Sequence, residues 1–131
     1  MKISNIIKHS LLLVFISFSF ALTAQDFTTI TNSLKIGDVA SFSKNFDSNL
    51  ELTILDNEAI YSKAQIETIL TDFFKKNKPS GYKTIHKGNS GNGAFFQIGE
   101  LSTTNSIYRT YIYAKNINGK FLIQEFRIEE N

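Results

Sequence analysis

Beyond Pro79 the hydrophobic period of this chain is two, and the segment just before it has a helical period. Apolar residues alternate over 82–88, 93–103, 106–116 and 120–130. Short polar turns separate these runs: Gly88 to Gly93, Thr104-Asn105-Ser106 and Asn118-Gly119. An Asn-Gly pair between apolar runs marks a tight hairpin, because both central residues need positive φ. Four strands joined this closely predict an antiparallel meander. A meander with one apolar face needs helices laid on that face. The Gly-rich segment Gly88-Asn89-Ser90-Gly91-Asn92-Gly93 lacks the Gly-Lys-Ser/Thr ending of a phosphate loop and reads as a turn.

The N-terminal half supplies those helices. Asp26 is placed to cap a helix with Phe27, Ile30 and Leu34 on one face. Gly37 ends it, and Asp38 caps a second that carries Val39, Phe42 and Phe46. Leu50, Leu52 and Ile54 alternate with Glu51 and Thr53 in a strand over 49–56, and 59–61 is a short return strand. Ser62-Lys63-Ala64-Gln65 is a capping box. The helix it opens places Ile66, Ile69, Leu70, Phe73 and Phe74 at helical spacing, and Lys75, Lys76 and Lys78 favour its C-terminal dipole. Pro79 ends it.

Lys2 and Lys8 precede an apolar run from Leu11 to Leu22 and the small-residue end Ala21-Leu22-Thr23-Ala24. This is the pattern of a secretory signal peptide over 1–24, its apolar run too short to span a bilayer; the competing reading is an N-terminal membrane anchor. Residues 25–131 then form one domain, exported to the periplasm or secreted, with no membrane attachment after cleavage. The absence of cysteine excludes a disulfide and a lipid-anchored lipoprotein. There are 14 basic and 12 acidic residues. With Lys2 and Lys8 in the leader the remainder balances, so no basic footprint for nucleic acid is expected.

Helices, a hairpin, a long helix and a four-strand meander resemble the nuclear transport factor 2-like (cystatin-like) fold. That resemblance implies an α+β cone: a curved antiparallel sheet wrapped around a long helix, with helices N-terminal to it and a pocket between. More narrowly, the chain resembles an exported bacterial family of unknown function, domain of unknown function 4783. The resemblance rests on Leu34-Lys35-Ile36-Gly37-Asp38, Tyr61-Ser62-Lys63-Ala64-Gln65, Asp72-Phe73-Phe74, His86-Lys87-Gly88, Ile98-Gly99-Glu100-Leu101 and Ile123-Gln124-Glu125-Phe126-Arg127-Ile128-Glu129. It implies no catalytic residues. In the wider superfamily sheet-face dimers are common, so a homodimer through the sheet is an expectation of the same kind.

Hairpin parity assigns faces, since residues directly opposite in an antiparallel pair share one. A two-residue Asn118-Gly119 turn pairs Tyr113 with Gln124 and Tyr111 with Phe126. One face then carries Arg109, Tyr111, Tyr113, Leu122, Gln124, Phe126 and Ile128, and the next turn adds Phe96, Ile98, Glu100 and Ser102. This face is the richer in large apolar groups and is assigned to the helix side, with Thr110, Ile112, Ile123, Glu125 and Arg127 on the other. Keeping Lys83 and Lys87 out of the core turns Tyr82, Thr84 and His86 inward as well.

The expected ligand-binding set is therefore Glu100, Arg109, Tyr111, Tyr82 and Gln124. Glu100 and Arg109 read either as a salt bridge at the end of the core or as a pocket-mouth pair. His86, the only histidine outside the leader, is placed opposite residue 94, about 20 Å along the strand from Glu100, and reads as structural. One histidine without cysteine makes no zinc site of the usual kinds, no acidic calcium loop is present, and no cofactor is implied. The expectation is a non-enzymatic exported protein that binds a small molecule or a protein partner in or beside its cone. The alternative is a small isomerase- or hydrolase-type enzyme with an inward Glu or His as base.

Overall fold

The computed structural model describes residues 27–131. The signal peptide expected over 1–24 and the cap expected at Asp26 lie outside the described residues. Helix α1 covers 27–36. It ends where Gly37 turns to φ 71°. There the Asp38 amide donates to Ser33 O at 2.9 Å and the Gly37 amide to Leu34 O at 3.1 Å, a Schellman closure. Asp38 then caps α2 (Val39–Ser43), accepting from the Ser41 amide at 3.1 Å and the Ser41 hydroxyl at 2.7 Å. Those bonds hold its carboxyl below the ordinary value. Phe46, assigned above to this helix, instead begins strand β1 (Phe46–Ile54), which β2 (Asn57–Ser62) follows.

The capping box forms as read. The Ser62 hydroxyl accepts from the Gln65 amide and Gln65 Oε1 from the Ser62 amide at 3.0 Å, opening α3 (Lys63–Lys76). Pro79 is the first residue of β3 (Pro79–Gly91). β4 (Ala94–Thr103), β5 (Ile107–Ile117) and β6 (Lys120–Glu130) complete the meander. Both tight turns have the backbone expected of an Asn-Gly pair: Asn92 and Gly93 at φ 50° and 73°, Asn118 and Gly119 at 54° and 82°.

The result is an α+β fold around a six-stranded sheet in the order β2-β1-β6-β5-β4-β3. All ladders are antiparallel except one: β1 runs parallel to β6, which departs from the wholly antiparallel sheet expected. Three hairpins fix the direction of β6, and the chain returns it alongside β1. One core lies between the sheet and the helices. Leu50, Leu52, Leu101, Ile112, Ile123, Phe126 and Ile128 come from the strands; Ile30, Leu34, Phe42, Ile66, Leu70 and Phe74 come from the helices. Each such side chain contributes about 1.5–3 kcal/mol by leaving water. The C-terminal end of α3 is tied to the β4–β5 turn through Asn77. Its Oδ1 accepts from Asn105 Nδ2 and from the Tyr108 hydroxyl, both at 3.0 Å.

The sheet's phase is the main correction to the sequence reading. The register Ile117↔Lys120 to Ala114↔Ile123 is the one expected, but Tyr113 then pairs with Glu125, leaving Gln124 as a bulge. From there on Ile112 faces Phe126 and Thr110 faces Ile128, and these four are completely buried. Phe126 and Ile128 do point inward, but their partners are Ile112 and Thr110. Arg109, Tyr111 and Tyr113 lie on the outer face, and so does Glu100, which pairs with Arg109 as expected. A single inserted residue thus separates the correct pairing from the correct face.

A candidate ligand cleft

Strand β3 is bulged at Ile85, between Thr84↔Gly99 and His86↔Ile98. Tyr82 and Thr84 precede the bulge and turn inward as expected. After it the alternation reverses: Lys87, opposite Gln97, takes the inner side, and His86 takes the outer. His86 sits opposite Ile98 rather than residue 94, two residues from Glu100, because β3 runs on to Gly91 and the turn is only Asn92-Gly93. The large separation inferred between His86 and Glu100 is therefore overturned. The His86 ring lies 5.5 Å from that of Phe96.

On the inner side, the end of the β3–β4 hairpin and α1 enclose a cleft of about 570 Å³. Phe27 on α1, Phe95 on β4 and Phe121 on β6 form its apolar wall. Phe121 meets Phe95 edge-on at 4.8 Å and Phe27 at 6.3 Å. Thr28 and Thr31 line it from the helix, and Thr84, Lys87, Asn89 and Gln97 from the hairpin. Gln97 is 2% exposed. Its amide nitrogen donates to the Thr84 hydroxyl at 2.6 Å and reaches the Tyr82 hydroxyl at 3.5 Å, and Thr110 donates to the same Tyr82 oxygen at 3.3 Å. Burial pushes the Tyr82 phenol above its ordinary value of 10.0. Gly99 makes room for this ring: a Cβ there would stand 2.2 Å from the Tyr82 hydroxyl oxygen.

Of the five residues expected to bind ligand, only Tyr82 belongs to this polar strip, and it supports the floor rather than lining the cleft. Arg109 is exposed and Glu100 half-buried on the outer face. Tyr111 lies on that face with the Arg127 guanidinium 5.3 Å from its ring centre. Gln124, at the bulge, donates to Asp47 Oδ2 at 3.3 Å. The outer face also holds the ion pair of Arg127 with Glu125. Beside it, a hydrogen bond to the Glu58 carboxyl, reinforced by desolvation and the Glu125 charge, raises the Glu51 carboxyl above its ordinary value. Neither Glu100 nor His86 lines the cleft. Among the described residues no group of three or more acidic or histidine side chains is placed to hold a metal ion.

The sequence reading missed Lys87, Gln97, Phe27, Phe95 and Phe121 as cleft residues. The signal that could have found them is the spacing of apolar residues in β6. Phe121, Ile123, Phe126 and Ile128 step by two, three and two, with adjacent polar residues Gln124-Glu125 at the long step, the trace of a bulge.

The family model for the domain of unknown function DUF4783 matches residues 27–129. No curated protein matches the chain. Among solved structures, a DUF4783 family protein from Bacteroides ovatus is similar with a TM-score of 0.75 and 27% identity, covering 79% of this chain and 93% of that one. One from Bacteroides uniformis has a TM-score of 0.75 and 22% identity over 79% and 95%. An NTF2-like protein of unknown function from Cytophaga hutchinsonii has a TM-score of 0.58 and 11% identity over 81% and 87%. The last two show likeness of fold alone.

Proposed function

This chain belongs to the DUF4783 family, and for it we propose a small-molecule binding role in the cleft between α1 and the β3–β4 hairpin. The observation that carries the reading is the cleft itself. Its volume of about 570 Å³ falls among those of ligand sites, roughly 300–1,000 Å³, and its wall of aromatic rings above a few fixed polar groups has their usual makeup. In this reading the sheet closes around α3 as a cone, and the cleft is the cone's open end. Export belongs to the same proposal. The leader over 1–24 supports a periplasmic or secreted site of action, where the ligand is taken from outside the cytoplasm. The enzyme alternative draws no support from the cleft, because the two bases it relied on stand on the other side of the sheet. A thermal-shift survey of the purified protein across a metabolite library tests the role. A saturable rise in melting temperature that is lost in Thr31→Trp, which fills the cleft from α1, is expected. A ligand whose shift survives that substitution would move the site elsewhere.

A second reading is favoured by the outer face. Lys83, Glu100, Arg109 and Glu129 lie in one cross-strand row of alternating sign, above the apolar Phe96, Ile98, Tyr111 and Tyr113. A two-fold axis parallel to the strands and midway between β4 and β5 sets Lys83 against the partner's Glu129 and Glu100 against the partner's Arg109. The row is thus complementary to its own copy. In this homodimer, sedimentation equilibrium of Arg109→Glu gives a monomer. The double exchange of Glu100→Arg with Arg109→Glu restores the dimer, whereas a wild-type monomer ends the proposal.

A further inference from the structure

The polar groups of the cleft specify the ligand further. Gln97 Nε2 already donates to the Thr84 oxygen, so Thr84 retains its own proton to donate. Lys87 is the one ionisable side chain among the lining residues. Its ammonium has no carboxylate within ion-pair distance among the described residues, where the ion pair present is that of Arg127 with Glu125. The bulge at Ile85 sets these two donors on the same side of β3, three residues apart instead of two. Above them stand the rings of Phe27, Phe95 and Phe121.

Resting on the binding role proposed above, we infer that the ligand is an amphipathic organic anion. It has a flat apolar body that lies against the three phenylalanine rings and a carboxylate, sulfonate or phosphate that meets Lys87 and the Thr84 hydroxyl. A cationic ligand would face Lys87 without a counter-charge in the lining. A fully polar one would leave the aromatic wall unmatched and its own groups short of partners. The volume admits a two- to three-ring body.

Two probes differing mainly by the anion separate this inference from the reading beneath it: 1-anilinonaphthalene-8-sulfonate and the neutral N-phenyl-1-naphthylamine, titrated by fluorescence into the purified protein. The sulfonate is expected to bind one saturable site more tightly than the neutral probe. Lys87→Met weakens the sulfonate by about 1.5-fold to fivefold, the range for an exposed charge pair, and leaves the neutral probe unchanged. Added salt reproduces the difference, weakening only the sulfonate. Thr31→Trp abolishes both. If the two probes bind equally and Lys87→Met alters neither, the anion is wrong while the cleft stands. If neither probe saturates, or if Thr31→Trp leaves both unaffected, the binding role itself falls and takes the inference with it. Melting curves of both variants confirm that folding is retained.

Discussion

The two faces of the β4–β5–β6 sheet are built from interleaved residues of the same strands and do opposite work. On the inner face Thr110, Ile112, Ala114, Phe126 and Ile128 are completely buried under the helices. On the outer face Arg109 is exposed, Tyr111 and Arg127 keep partial contact with water, and Arg127 interacts with the Tyr111 ring and the Glu125 carboxylate. Large apolar and aromatic side chains occur on both, so side-chain size is a poor guide to which face holds the core. What separates them is the cover: α1, α2 and α3 lie on one side, and the charged ladder claims the other.

The contrast breaks most visibly under truncation. Phe126→Ala opens a hole against Phe42, whose ring lies 5.0 Å away. It is expected to lower unfolding stability by about 3–5 kcal/mol. Tyr111→Ala, one strand over and on the opposite face, is expected to cost about 1–2 kcal/mol, the worth of a half-buried ring and its cation contact. Urea denaturation of both measures the gap. Equal losses would mean that the outer face is as structural as the inner.

The elements were legible in the sequence because their signals are local. The Ser62-to-Gln65 capping box, the Gly37 stop and the Asn118-Gly119 turn each specify a backbone conformation within a few residues, and each forms as read. Cross-strand pairing was legible as well: Glu100 opposite Arg109 follows from one turn. The face was not, because it depends on bulges at Ile85 and Gln124 that insert one residue within polar stretches and carry no turn chemistry. The Gln124 bulge lies between the tight turn and the centre of β6, so a parity count started at Asn118-Gly119 is right for four pairs and then inverts. The cleft was hidden for the same reason. Lys87 was excluded from the inner side as a charge, although at the hairpin's end the inner side is the wall of a cleft.

Within the inner face, a smaller effect tests the polar floor. Gly99→Ala drives a methyl into the Tyr82 ring, whose hydroxyl would be 2.2 Å away. The ring is held by Gln97 and Thr110 and has little room to move. A loss of about 1–3 kcal/mol is expected. Gly81→Ala, where the nearest atom would be 3.9 Å away at Ser102 Cβ, serves as the matched control in the same strand pair and is expected to change little. Cleft binding should weaken in Gly99→Ala alone, since the displaced Tyr82 releases Gln97.

The least effect belongs to the outer face, and its sign follows from proton linkage. Glu51 lies opposite Glu125 in the parallel β1–β6 ladder, and it shares a hydrogen bond with Glu58 across the β1–β2 edge. Folding raises its carboxyl above the ordinary 4.5, so the native state binds that proton more tightly than the unfolded chain does. The stabilisation from this group is then full below the unfolded value and disappears as pH rises through the folded one. At neutral pH three carboxylates crowd about Arg127, which already pairs with Glu125. Glu51→Gln removes one of them while keeping a hydrogen-bond donor for Glu58. It should raise the melting temperature slightly at pH 7 and leave it unchanged near pH 3, where Glu51 is protonated in both states. A decrease at pH 7 would show that Glu51 serves Arg127 as a second counter-ion, making the outer face an ordered ionic network rather than a solvated rim.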